Sequence, residues 1–182
     1  MPDLAAAWKF LEDSDPVASA HEVEAAIARL AQEISEELRK TYPMILAVMG
    51  GAVVFAGQLL PRLRFPLDFD YLHVTRYGDS TEGSQIEWRV APSTGVRGRA
   101  VLVLDDILDG GHTMFAIREM LRTLGAASFQ SAVLVEKTLA HPKPISPDFV
   151  GLKIPDRFVF GCGMDAKGYW RNLPEIRAMK GT

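Results

Sequence analysis

The chain has 182 residues, 48% of them hydrophobic and 24% charged, with a formal net charge of −3 and a pI near 5.8. That length suits one packed domain rather than two, and the mildly acidic balance argues against a nucleic-acid-binding surface. No apolar run approaches the ~20 residues that span a bilayer, the acidic opening MPDLAAAWKFLEDSD does not read as a secretory signal, and the single cysteine, Cys162, excludes an internal disulfide, so a soluble, cytoplasmic α/β domain without nucleic-acid or membrane partners is expected.

Residues 1–20 have no clear period. Trp8, Phe10 and Leu11 read as a satellite packing segment, and Asp15-Pro16 marks a turn. From His21 to Lys40, Val23, Ile27, Leu30, Ile34 and Leu38 recur at three- and four-residue steps, which predicts an amphipathic helix. Glu22 and Glu24 near its start and Arg39-Lys40 at its end match the helix dipole. Met44 to Met49 (MILAVM) is a continuous apolar run between Pro43 and Gly50-Gly51. It predicts a strand buried on both faces, then a glycine turn and a helix from Ala52 to about Leu60, stopped by Pro61. Phe69–Tyr77 and Gln85–Ala91 alternate like strands. Their connection, Gly78 to Ser84, is either a flexible hairpin or a lid that closes over a ligand.

Residues 101–114, VLVLDDILDGGHTM, carry the clearest signal. Val101–Leu104 predicts another buried strand, after which Asp105, Asp106 and Asp109 crowd into five positions and Gly110-Gly111 follow. Thr113 opens a helical pattern (Phe115, Ile117, Met120, Leu121, Leu124) that stops at Gly125, which tolerates a left-handed backbone. Phe129–Val135 predicts a further buried strand ending in Glu136-Lys137, and His141 to Pro147 (HPKPISP) is an irregular connector. Arg157–Phe160 is a last short strand, followed by Gly161-Cys162-Gly163-Met164-Asp165 and by Tyr169 to Pro174. There is no zinc-ligand spacing and no G-x-S-x-G elbow, and four scattered His residues make no metal site.

A glycine-rich turn between a strand end and a helix N-terminus presents several backbone N–H groups, to which the helix dipole adds partial positive charge. It cradles a phosphate monoester, and Thr113 adds a hydroxyl donor. Any single Asp here reads equally well as a solvated loop residue. As a pair at a strand end, Asp105 and Asp106 suit ribose hydroxyls or Mg²⁺, a hard ion that takes oxygen ligands. Gly50-Gly51 forms a second such junction, and neighbouring parallel strands would bring both turns to one sheet edge.

The string from Val101 to Thr113 resembles the 5-phosphoribosyl-1-pyrophosphate (PRPP) motif of type I phosphoribosyltransferases: an apolar strand, two acidic residues, two apolar residues, then Asp-x-Gly-x-Thr. Phe149 to Ile176, FVGLKIPDRFVFGCGMDAKGYWRNLPEI, is similar to the hood of hypoxanthine-guanine phosphoribosyltransferases, with I-P-D-x-F-V-V-G-Y-G-x-D followed by Y-x-R-x-L-P. The likeness runs from about residue 44 to 176, and the first forty or so residues contribute nothing to it.

The resemblance implies a mainly parallel sheet flanked by helices in one domain, with a PRPP-binding core over about 44–140 and a small purine-binding hood, largely C-terminal, over about 149–176. Asp105 and Asp106 would hold the ribose hydroxyls, partly through Mg²⁺, and Asp109 would be the general base beside the purine imidazole. Gly110, Gly111, His112 and Thr113 would wrap the 5′-phosphate. Lys137 would donate to the exocyclic oxygen, Phe158 stack on the base, and Val159 offer backbone contacts at its Watson–Crick edge. Asp165 would bind the pyrophosphate-side Mg²⁺, Arg171 the pyrophosphate, and Gly50 and Gly51 its loop. Two positions depart from the family: Met49 stands where Lys is common, and Arg76-Tyr77 opens the lid where Ser-Tyr is common. Arg76 is therefore a candidate replacement for the lost cation, with Tyr77 in the lid. The implied activity is Mg²⁺-dependent conversion of PRPP and hypoxanthine or guanine into IMP or GMP and pyrophosphate, by a homodimer or homotetramer. The alternatives are an enzyme of the same fold specific for xanthine or adenine, or a non-catalytic nucleotide-sensing regulator.

Overall fold

The computed structural model describes residues 3–77 and 85–181. The expected lid, Gly78 to Ser84, and the side chains of Arg76 and Tyr77 lie outside the described residues. The first helix, α1 (Leu4–Glu12), is capped by Asp3, whose carboxylate accepts the N–H groups of Ala5 and Ala6. Strand β1 (Ser14–Ala18) follows, so Asp15-Pro16 is not a turn. Proline is tolerated there because β1 is an edge strand whose ladder shifts register between Pro16 and Ala18. In α2 (Ala20–Leu38) Ser19 and Glu22 form a reciprocal capping box, and the predicted stripe buries Ile27, Leu30 and Ile34.

Strand β2 (Met44–Met49) has the predicted bounds. Helix α3 (Val53–Leu59) ends within a residue of the expected bound, and Pro61 falls in a 3₁₀ turn, Leu60–Arg62, that follows it. Strands β3 (Asp68–Tyr77) and β4 (Gln85–Val90) pair antiparallel. Strand β5 (Ala100–Leu108) runs four residues past the predicted end, carrying Asp105 and Asp106 inside the sheet. Gly111 (φ 80°) caps α4 (His112–Thr123), and Gly125 (φ 83°) closes it with the paired bonds Gly125 N–H to Arg122 O and Ala126 N–H to Leu121 O. Strand β6 (Ser128–Thr138) and β7 (Phe149–Pro155) complete the large sheet. The first part of the expected hood segment is therefore a sheet strand.

The large sheet has the order β4-β3-β2-β5-β6-β7, parallel except for β4. The chain winds outward in both directions from the β2/β5 boundary, a switch point that leaves a crevice at the carboxyl ends of those strands. One face packs Ile45, Ala47, Leu102 and Leu104 against α2 and α3. The other packs Leu46, Val48, Val101 and Val103 against α4. Both faces of β2 and β5 are buried, which is why their sequences are continuously apolar. Each fully buried Leu or Ile contributes about 1.5–3 kcal/mol.

A second, three-stranded antiparallel sheet stands over the crevice, in the order β1-β9-β8, with β8 (Val159–Phe160) and β9 (Ile176–Met179). Arg177 of β9 donates to the Ser14 hydroxyl and carbonyl of β1. Among the described residues, no helix is long and apolar enough to cross a membrane.

Candidate active site

The carboxyl end of β5 supplies the acidic pair. Asp105 and Asp106 are both buried; Asp105 Oδ1 accepts the Asp106 N–H at 3.0 Å and Asp106 Oδ1 accepts the Ile107 N–H at 2.9 Å. Burial pushes the Asp106 carboxyl above its usual range, against the opposing pull of hydrogen bonds with the Asp105 side chain and the Ile107 N–H and of the Arg171 charge. The Gly50-Gly51 turn closes directly on this group: a Cβ at Gly51 would overlap the Asp106 carboxylate. The two glycine turns thus meet at one edge, as neighbouring parallel strands require.

A cavity of about 380 Å³ lies between them, lined by Met49, Gly50, Gly51, Asp105, Asp106, Asp109, Gly111, Thr113 and Arg171 among others. Gly110 and His112 do not line it; His112 is exposed on the first turn of α4. A second cavity of about 200 Å³ shares Asp106, Ile107, Asp109 and Arg171 with the first and adds Lys137, Phe158, Val159 and Asp165. The arrangement is two connected compartments with Asp109 on the border: one glycine-walled and acidic, the other with an ammonium, an aromatic ring and a buried strand backbone.

Strand β6 places Lys137 on the far wall. Its Nζ sits 3.0 Å from Asp109 Oδ2 and 3.4 Å from Asp156 Oδ1. Phe158 is 44% exposed on the wall of this cavity, and Val159 behind it is 6% exposed. From the opposite side the loop after β8 supplies Arg171, whose guanidinium pairs with Asp165 at 2.5 Å and donates to Gly163 O at 2.6 Å. Asp165 also accepts the Gly168 N–H at 2.6 Å. A Cβ at Gly163 (φ 104°) would strike the Gly51 carbonyl, so this loop lies backbone-to-backbone on the Gly50-Gly51 turn.

Among the described residues, no group of three or more His, Cys, Asp or Glu side chains is arranged to hold a metal ion. The Asp105-Asp106 pair still fits Mg²⁺: its oxygens are hard donors, and the buried Asp106 charge has a desolvation cost that a divalent cation offsets. The remaining ligands would come from a bound phosphate compound.

Three residues escaped sequence reasoning. His73 and Thr75 line the larger cavity because the parallel register Met49↔His73 brings β3 to the same edge as β2; their position at a strand's carboxyl end was the available signal. Lys143, in the Pro-rich connector, donates to Leu108 O at 3.3 Å and to Lys137 O at 2.5 Å, tying the ends of β5 and β6 together. No local pattern marks it.

The comparisons agree with this geometry. The family model described as Phosphoribosyl transferase domain matches residues 13–167, reaching back into β1 and α2, which the motifs alone left out. A hypoxanthine-guanine phosphoribosyltransferase of Bacillus subtilis is 33% identical over 163 residues, covering 89% of this chain and 91% of that protein. A crystal structure of a hypoxanthine-guanine phosphoribosyltransferase from Bacillus anthracis superposes with a TM-score of 0.84 at 25% identity, covering 90% of this chain and 97% of the other. The Trypanosoma cruzi hypoxanthine phosphoribosyltransferase in complex with the product IMP gives a TM-score of 0.84 at 25% identity over 93% of this chain and 96% of that one. With an acidic strand end, paired glycine turns and a sheet order shared along nearly the whole length, the chain belongs to the type I phosphoribosyltransferases.

Proposed function

We propose that the protein transfers the 5-phosphoribosyl group from PRPP to hypoxanthine or guanine, forming IMP or GMP and releasing pyrophosphate. The observation that carries this reading is the Lys137–Asp109 pair, 3.0 Å apart on the wall of a compartment that also presents Phe158. An oxopurine stacked on Phe158 takes an N–H of Lys137 on its exocyclic oxygen. Asp109, relieved of part of that ion pair, accepts the proton of the imidazole ring as the other ring nitrogen attacks C1 of the ribose. Adenine would set an amino group against the ammonium, leaving donors unpaired at a cost of about 1–3 kcal/mol.

Asp105 and Asp106 hold the ribose hydroxyls, the turn through Gly110, Gly111, His112 and Thr113 holds the 5′-phosphate, and Gly50, Gly51, Arg76 and Arg171 surround the pyrophosphate. Arg suits this last role through its planar fork of donors. Asp105 and Asp106 would hold Mg²⁺ at the ribose hydroxyls and Asp165 at the pyrophosphate side, each completed by substrate oxygens, and the bound metal would neutralise charge on the departing polyanion. In this reading residues of about 44–140 bind PRPP, about 149–176 form the purine-binding hood, and the enzyme is a cytoplasmic homodimer or homotetramer. The test is pyrophosphate release from PRPP and Mg²⁺ with hypoxanthine, guanine, xanthine and adenine in turn. Turnover with the first two is expected; a preference for xanthine or adenine moves the specificity, and none with any base leaves a nucleotide-sensing regulator.

A further inference from the structure

The loop that carries Asp165 and Arg171 has an expensive backbone. Cys162 (φ 52°), Lys167 (φ 53°) and Trp170 (φ 65°) are all left-handed, a conformation that crowds a Cβ against the backbone. Trp170 directly precedes Arg171, so whatever holds Trp170 also sets the direction in which the guanidinium leaves the chain. What holds it is α1. The Trp170 Nε1–H donates to Ala7 O at 2.6 Å, and the Trp8 ring meets the Trp170 ring edge-on at 5.0 Å. The Asp3 N–H donates to the Tyr169 hydroxyl at 3.2 Å, and Phe10 lies 6.1 Å from the Tyr169 ring. Helix α1 itself buries only Ala7, Trp8 is 51% exposed, and the helix lies outside the family match. Besides Lys180, whose ammonium donates to Glu12 O, its polar and ring contacts across the chain are, among the described residues, with this loop.

We propose that α1 positions the pyrophosphate end of the site, with Trp8 and Trp170 as positioning residues for Arg171; the inference rests on the phosphoribosyltransferase reading above. Neither tryptophan lines either compartment of the site, so both act through the adjacent arginine. The test uses the full chain with Trp8→Ala and, separately, Trp170→Phe, which keeps a ring and removes the N–H. Calorimetry reads the affinity for pyrophosphate with Mg²⁺, and steady-state kinetics reads KM for PRPP and for the oxopurine that turns over fastest. The pyrophosphate Kd and the KM for PRPP are expected to rise about tenfold, equivalent to 1.4 kcal/mol, with the purine KM unchanged. A rise no larger than that of the purine KM overturns the proposal. If Trp8→Ala does not fold, Trp170→Phe decides alone. Failure of the unaltered chain to bind magnesium pyrophosphate sinks the enzyme reading first, before any variant is made, and takes this proposal with it.

Discussion

Asp106 is a largely buried carboxylate at the junction of the two cavities, and its burial has a measurable consequence. The unfolded chain releases this proton near the ordinary carboxylate pKa, about 3.9, while burial makes the folded chain retain it to higher pH. The folded state therefore binds more protons than the unfolded state in between, and stability falls as pH rises through the raised pKa. In metal-free protein, Asp106→Asn is expected to raise the melting temperature at pH 7 by a few degrees and to lose that advantage as pH falls from the raised pKa toward about 4. The same variant should weaken PRPP binding, read by calorimetry. Asp109 belongs to a different class: it is exposed, and its partner is the Lys137 ammonium. Asp109→Asn is expected to lower kcat by about 10²–10⁴-fold, the usual contribution of a general base, with PRPP affinity nearly constant. Equal destabilisation of both variants without a kinetic difference would give the two residues structural roles only.

At the scale of elements, legibility follows burial. Strands β2 and β5 are covered on both faces, so MILAVM and VLVL could be read directly, and the glycines after them marked both turns. Strand β7 has a burial pattern that alternates unevenly at a sheet edge, and FVGLKIP was absorbed into the neighbouring hood motif for that reason. Strand β1 was masked by Asp15-Pro16, whose turn preference yields to the pairing with β9. Helix α1 was unreadable because its contacts are with residues far along the chain. The capping box at Ser19 and Glu22 is legible as S-x-x-E at the head of the α2 stripe. Lys143 is an element-scale staple invisible to any local pattern. Lys143→Ala leaves the Leu108 and Lys137 carbonyls without that donor and is expected to cost about 1–3 kcal/mol in denaturant unfolding. Lys143→Arg should recover part of the loss; full stability in the alanine variant would remove the staple role.

At the scale of the molecule, the site was more legible than the architecture that completes it. The acidic turn and the hood motif named the residues, but only the register of the sheet brought His73 and Thr75 beside them. Cys162 offers a probe of the hood as a unit: it is fully buried, hydrogen-bonds the Pro174 carbonyl, and burial pushes its thiol up to about 11. Native protein at pH 8 is expected to resist alkylation and to react only when the hood opens, so labelling that outpaces unfolding of the large sheet would identify the hood as a separately opening unit. The small sheet has one more consequence. Its outer strand β1 is made from residues 14–18, while its middle strand β9 is residues 176–179. On the ribosome strand β1 must therefore wait, one edge unsatisfied, until the residues through Met179 have emerged. The phosphate-binding floor can be assembled before its roof, and a message cut short ahead of Ile176 would yield a floor with nothing above it.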